Sequence, residues 1–102
     1  MKNKYPELAA LESWTLPKIH PFSHEIKHYI ENFNTELEKI QRKVKEEKLE
    51  LVPYWPQLLF VQGLEERYPT WCSHRREELR GEKQLSLGDL RYAVRYYAVV
   101  MR

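Results

Sequence analysis

Residues Ser23–Lys48 read SHEIKHYIENFNTELEKIQRKVKEEK. Within them Ile26, Ile30, Phe33, Leu37, Ile40 and Val44 recur at alternating steps of four and three. That period lines apolar side chains along one stripe of an α-helix. At about 1.5 Å per residue such a helix is a rod of roughly 39 Å. A lone helix with one apolar stripe is marginal in water, because burying the stripe supplies most of its stability. The rest of the chain must fold back onto this rod, or a partner must cover it. The expected start lies near Pro21–Ser23, with Ser23 as N-cap and Glu25 and Glu31 suiting the positive end of the helix dipole.

On the N-terminal side, residues 1–22 read as an arm or short first helix. Pro6 to Trp14 (PELAALESW) has a proline suited to a first helical position and Leu8, Leu11 and Trp14 at helical spacing. Pro17 and Pro21 keep it from running into the long helix. The arm is expected to dock on a neighbour or on the long helix.

On the C-terminal side, LELVPYWP (Leu49–Pro56) ends the long helix with two prolines. A second helix is expected from Pro56 to about Arg67. Leu58, Leu59, Phe60, Val61 and Leu64 make it apolar on most sides and therefore central, and Gly63 signals close helix packing or an early break. Thr70 is expected to cap a third helix, Trp71–Arg80, closed by Gly81. Ser86-Leu87-Gly88-Asp89 has the spacing of a capping box. It opens a last helix, Leu87–Arg102, with Leu90, Ala93, Val94, Tyr97, Ala98 and Met101 on one face. Strand alternation, repeats and low-complexity segments do not occur. The expected fold is all-α: one domain over residues 1–102, a compact bundle of four to five helices built on the long amphipathic one.

Composition supports a core. The 102 residues are 42% hydrophobic and 13% aromatic, too apolar for a disordered chain despite 31% charged residues. The one cysteine, Cys72, excludes an internal disulfide framework and a multi-cysteine zinc cage, and reads as a small buried hydrophobe in a reducing, cytoplasmic setting. No apolar run is long enough for a membrane span or a signal peptide.

Net charge is only +2, but the type of cation changes along the chain. Up to Leu51 the cations are lysines apart from Arg42. Beyond it they are arginines apart from Lys83. Arginine is favoured where planar, bidentate contact with phosphate or carboxylate is needed. In RYAVRYYAVV arginines also interleave with tyrosines, a pattern able to hold a phosphate backbone and stack on bases. The candidate nucleic-acid contacts are Arg42, Lys43, Lys45, Arg75, Arg76, Arg80, Arg91 and Arg95. The competing reading pairs the arginines with Glu65, Glu66, Glu77, Glu78 and Glu82 on a solvated surface.

His24-Glu25-Ile26-Lys27-His28 matches H-E-x-x-H, the spacing that sets two zinc-binding imidazoles one helical turn apart with a glutamate as general base. Several features oppose a metallopeptidase. Lys27 places a cation beside the metal position, and the helix starts almost at the first histidine. Only about twenty residues precede the motif, too few for the sheet that holds a substrate, and Glu31 and Asn34 stand where a G-x-x-H continuation needs Gly and His. His20, His24 and His28 are spaced by four and read instead as solvated, pH-sensitive imidazoles. No phosphate-binding glycine loop or nucleophile elbow is present.

The segments IKHYIENFNTELEKI, LVPYWPQLLFVQGLEER and RYAVRYYAVV resemble, in order and character, helices of the small subunits of type III CRISPR effector complexes. The likeness spans residues 26–102. It departs from the family pattern at Leu64, where an arginine often follows the glycine, and in a short middle segment. The resemblance implies a non-catalytic helical subunit, stacked in copies along larger protein subunits and touching RNA or DNA backbone through basic side chains. The expectation is thus a binding and assembly subunit without cofactor. A protein-only helical adaptor and a small zinc metallopeptidase using His24 and His28 are the alternatives.

Overall fold

The computed structural model describes residues 4–11, 25–81 and 83–101. Its longest element, α1, spans Ile26–Glu47. Ile26, Phe33, Leu37 and Ile40 are buried as the spacing predicts, while Ile30 and Val44 lie half-buried at the edge of the core. The fifth buried side chain is Tyr29, whose ring packs against Phe60 with centroids 5.5 Å apart. The expected start at Pro21–Ser23 is displaced: the N-cap position belongs to Glu25, and Ser23 lies outside the described residues. The Glu25 carbonyl accepts the first helical bonds, from the amides of His28 (3.1 Å) and Tyr29 (3.2 Å). At the other end Lys48 turns left-handed, and the Leu49 amide reaches back to the Val44 carbonyl at 3.1 Å.

The second helix, α2, spans Trp55–Gln62 and is shorter than the expected run to Arg67. Gly63 ends it, and the chain tightens into three-residue turns: Leu64 to Val61, Glu65 to Gln62 and Arg67 to Leu64. Leu58, Leu59, Phe60 and Val61 are all buried, so α2 is the centre of the bundle. The last carbonyls of a helix have no partner within it. Here side chains from elsewhere supply them: the Tyr29 hydroxyl donates to the Phe60 carbonyl at 2.7 Å, and the Cys72 thiol to the Val61 carbonyl at 3.2 Å.

The third helix, α3, covers Pro69–Arg80. Its cap position is Tyr68, not Thr70, because Pro69 fits the first helical position, where its missing N–H costs nothing. The fourth, α4, spans Leu87–Val100 and ends before the expected Arg102. Its capping box is formed as the sequence predicts: the Asp89 amide donates to Ser86 Oγ and the Ser86 amide to Asp89 Oδ2, both at 3.0 Å.

In the arm, Pro6–Leu11 forms a 3-10 helix, with Tyr5, Leu8 and Leu11 buried. The longer helix expected through Trp14 falls partly outside the described residues. The arm helix packs on α2. α2 also packs on α3 and α4, and α4 packs on α1. The radius of gyration is 13.3 Å, against about 13 Å for a folded chain of this length. The described residues form an all-α bundle without strands.

Candidate binding surface

Arg76 and Arg80, both candidate nucleic-acid contacts, project from α3 onto the arm. Arg76 Nη1 donates to Glu65 Oε2 at 2.6 Å and to the Tyr5 hydroxyl at 3.1 Å, with its guanidinium over the Tyr5 ring. Its side chain keeps only 12% of its exposure. Glu65 also accepts from the Tyr5 hydroxyl (2.7 Å) and Lys4 Nζ (3.1 Å). Burial alone would push the Glu65 carboxyl up, but the three donors outweigh it and hold it below its ordinary value. Arg80 grips Glu7 through Nε (2.5 Å) and Nη2 (2.8 Å), and the hydrogen bonds from Arg80 hold the Glu7 carboxyl below its ordinary value. These two guanidiniums clasp the arm to the bundle.

Arg75 is paired with Glu78 one turn on and lies over the Trp71 ring at 5.6 Å. Arg91 is half-buried, and its Nη2 donates to Asn34 Oδ1 at 2.8 Å, tying α4 to α1. Arg95 is exposed on α4, as are Arg42, Lys43 and Lys45 along the last turns of α1. Among the eight candidates, Arg75, Arg76, Arg80 and Arg91 hold the protein's own groups, and the side chains of Arg42, Lys43, Lys45 and Arg95 are exposed.

Of the H-E-x-x-H match the structure describes Glu25 and His28. His24 lies outside the described residues. His28 is 66% exposed and its Nε2 lies 3.3 Å from the carboxylate of Glu25, the motif's own glutamate. Among the described residues no three His, Cys, Asp or Glu side chains gather as a metal site. Cys72 is buried, and that burial pushes its thiol up to about 12, which suits the small core residue the sequence suggests.

The tyrosines that interleave with arginine in RYAVRYYAVV belong to an apolar surface on α4. At about 100° per residue, Leu90, Val94 and Tyr97 share the inward side, and Tyr92, Tyr96 and Val99 the opposite one. On the inward side Leu90 and Val94 are buried in the core and Tyr97 is half-buried against it. The outward side is exposed at 77% for Tyr92, 68% for Tyr96, 60% for Val99 and 59% for Val100. Met101, expected on the inward face, is also exposed at 60%. The signal was present in the sequence: RYAVRYYAVV holds more apolar side chains than one helix face accommodates. Beside this stripe lies a groove of about 490 Å³ between α3 and α4, lined by Thr70, Trp71, His74, Arg75, Tyr92, Ala93, Tyr96 and Tyr97. Among the described residues none that lines it carries a carboxylate, and its Arg75 is paired with Glu78. A second hollow of about 460 Å³ opens where Lys27, Arg67, Arg95 and Glu25 meet.

Contiguous exposed apolar surface of this kind, rimmed by polar groups, marks contact sites for other macromolecules. Tyrosine, tryptophan and arginine are the residues most enriched in such contacts. Comparison with known proteins gives no match: no family model, no curated protein and no solved structure is significantly similar to this chain.

Proposed function

We propose that this chain is a non-catalytic binding and assembly subunit that joins a larger protein through the outer face of α4. The observation that carries the proposal is the second apolar stripe on that helix, Tyr92–Tyr96–Val99–Val100, exposed opposite the side on which Leu90 and Val94 are buried. Covering such a side chain contributes up to about 1.5–3 kcal/mol, so a handful of them can anchor a partner. Assembly beside larger subunits is also the setting that the CRISPR small-subunit resemblance of residues 26–102 implies. The test is a pull-down of the tagged chain from its native cells, treated with nuclease, in wild-type form and as Tyr96→Glu. A co-purifying protein that resists nuclease and is lost in the variant supports this reading. Equal capture by both forms overturns it.

Nucleic-acid backbone contact is the second reading, favoured by the exposed positions of Arg42, Lys43, Lys45 and Arg95. Its mechanism is counterion release, independent of sequence. Each phosphate neutralised steepens the salt dependence by about one unit of slope. Arg42→Glu combined with Arg95→Glu should then abolish binding of a labelled oligonucleotide, and retention of the wild-type salt slope would remove these residues from the contact. A zinc metallopeptidase is a weaker third reading, because His28 and Glu25 engage each other. One mole of tightly held zinc per mole of purified chain would revive it.

A further inference from the structure

The arm helix, Pro6–Leu11, is held differently from the four helices of the bundle. It is a 3-10 helix of six residues, a form with poor hydrogen-bond geometry that rarely runs long. A helix so short does not persist by itself in water. Among the described residues no backbone–backbone bond joins the arm to another element. Side chains alone keep it down: Tyr5, Leu8 and Leu11 are buried, and Arg76 and Arg80 clasp it from α3.

The course of the arm decides what it covers. Cys72, Arg76 and Arg80 stand at i, i+4 and i+8 in α3 and so share one ridge of that helix. Arg80 holds Glu7 and the Lys4 carbonyl, the latter at 2.6 Å. Arg76, one turn back, holds the Tyr5 hydroxyl. Cys72, one turn further back, is fully buried with its thiol on the Val61 carbonyl. The charges that reach this thiol belong to the clasp itself: Glu65, Arg76 and Lys4. The thiol therefore sits beneath the clasp. Folded proteins open in pieces, the least anchored first. With the arm raised, α2 keeps its packing on α3 and α4, and α4 keeps its packing on α1.

We propose that the arm is a strap that lifts while the four helices stay folded, and that its clasp by Arg76 and Arg80 sets how often Cys72 meets solvent. This device is independent of the binding role given to α4 and goes beyond it.

The test is alkylation of the full chain with iodoacetamide, read by mass spectrometry, at urea concentrations below the unfolding transition. Cys72 is the chain's one thiol. Its thiolate displaces iodide from the reagent, and the thiol proton passes to the buffer. Lifting the strap uncovers only part of the surface that unfolding does, so labelling should accelerate with urea at less than about half the slope of global unfolding. Arg80→Ala and Glu7→Gln should each raise the labelling rate about fivefold. Combining them should add nothing to Arg80→Ala alone, because both break one pair. Val94→Ala, in the core on α4, should lower the unfolding midpoint and leave the labelling rate unchanged. Labelling with the full slope of unfolding, or accelerated by Val94→Ala as stability falls, means that Cys72 is reached only by unfolding and overturns the proposal. A shallow slope that neither Arg80→Ala nor Glu7→Gln alters places the opening elsewhere and overturns it too. Should Val94→Ala fail to fold, the urea slopes and the two clasp variants decide.

Discussion

Lys48 holds a backbone φ of 52°, the positive value that among the described residues only this non-glycine side chain adopts. The conformation is forced by the turn that ends α1, where the Lys48 and Leu49 amides both bond back to the helix. An L-residue with a Cβ is strained there and glycine is not. Lys48→Gly should therefore stabilise the protein by about 1 kcal/mol, read as a rise in thermal midpoint of about 5 °C. Tyr29 teaches a different lesson. Its hydroxyl bonds the buried Phe60 carbonyl, so Tyr29→Phe deletes a donor and leaves that acceptor without it. The expected loss is about 1–2 kcal/mol in chemical denaturation. The seam was read through Ile30, although Tyr29, three after Ile26 and four before Phe33, fits helical spacing equally well. What decides for Tyr29 is a carbonyl brought alongside by α2, which spacing within one helix does not show.

The arm is fastened by charge as much as by apolar contact. Arg76–Glu65 is nearly buried and Arg80–Glu7 partly exposed. Arg76→Ala removes a cation from a shielded network and should cost about 2 kcal/mol, between the values of exposed and buried pairs. It should also expose amides of the arm helix, Pro6–Leu11, to faster hydrogen exchange. Acid should do the same. Glu65 and Glu7 are both held below their ordinary values in the folded chain. Their contribution is therefore complete above the ordinary carboxylate range of about pH 4 and is lost as pH falls through the lower folded values. A stability profile flat across pH 2–6 would contradict this network, a window set by the approximate carboxylate range. Helix existence was legible in the sequence because apolar period, prolines and the Ser86–Asp89 box are local signals. Helix starts were less so: Pro69 suits both a turn and a first helical position, and the fold decides between them. The arginine partners were legible in part: Glu65 and Glu78 stand among the carboxylates that the competing reading gave the arginines, and they hold Arg76 and Arg75, whereas Glu7 was not legible, since it lies 73 residues from Arg80. A guanidinium looks the same in a sequence whether it faces solvent or clasps an arm.

For the whole molecule, the bundle is organised around a helix different from the one that dominates the sequence. The long α1 supplies a wall, and α2 sits where α3, α4 and the arm converge. Phe60, fully buried at that meeting point, also packs edge-on to Phe33 with centroids 5.1 Å apart. Phe60→Ala should cost about 3–5 kcal/mol, a large share of the roughly 5–15 kcal/mol that holds a domain folded. Its unfolding midpoint in denaturant should fall accordingly. Four adjacent buried residues, Leu58 to Val61, give α2 no wet side, and its eight residues are far fewer than an isolated peptide requires to stay helical. This segment can be ordered only while its neighbours enclose it, and they have little to rest on once it unravels. Melting should accordingly be a single event, with the peptide and aromatic dichroism signals disappearing at one temperature.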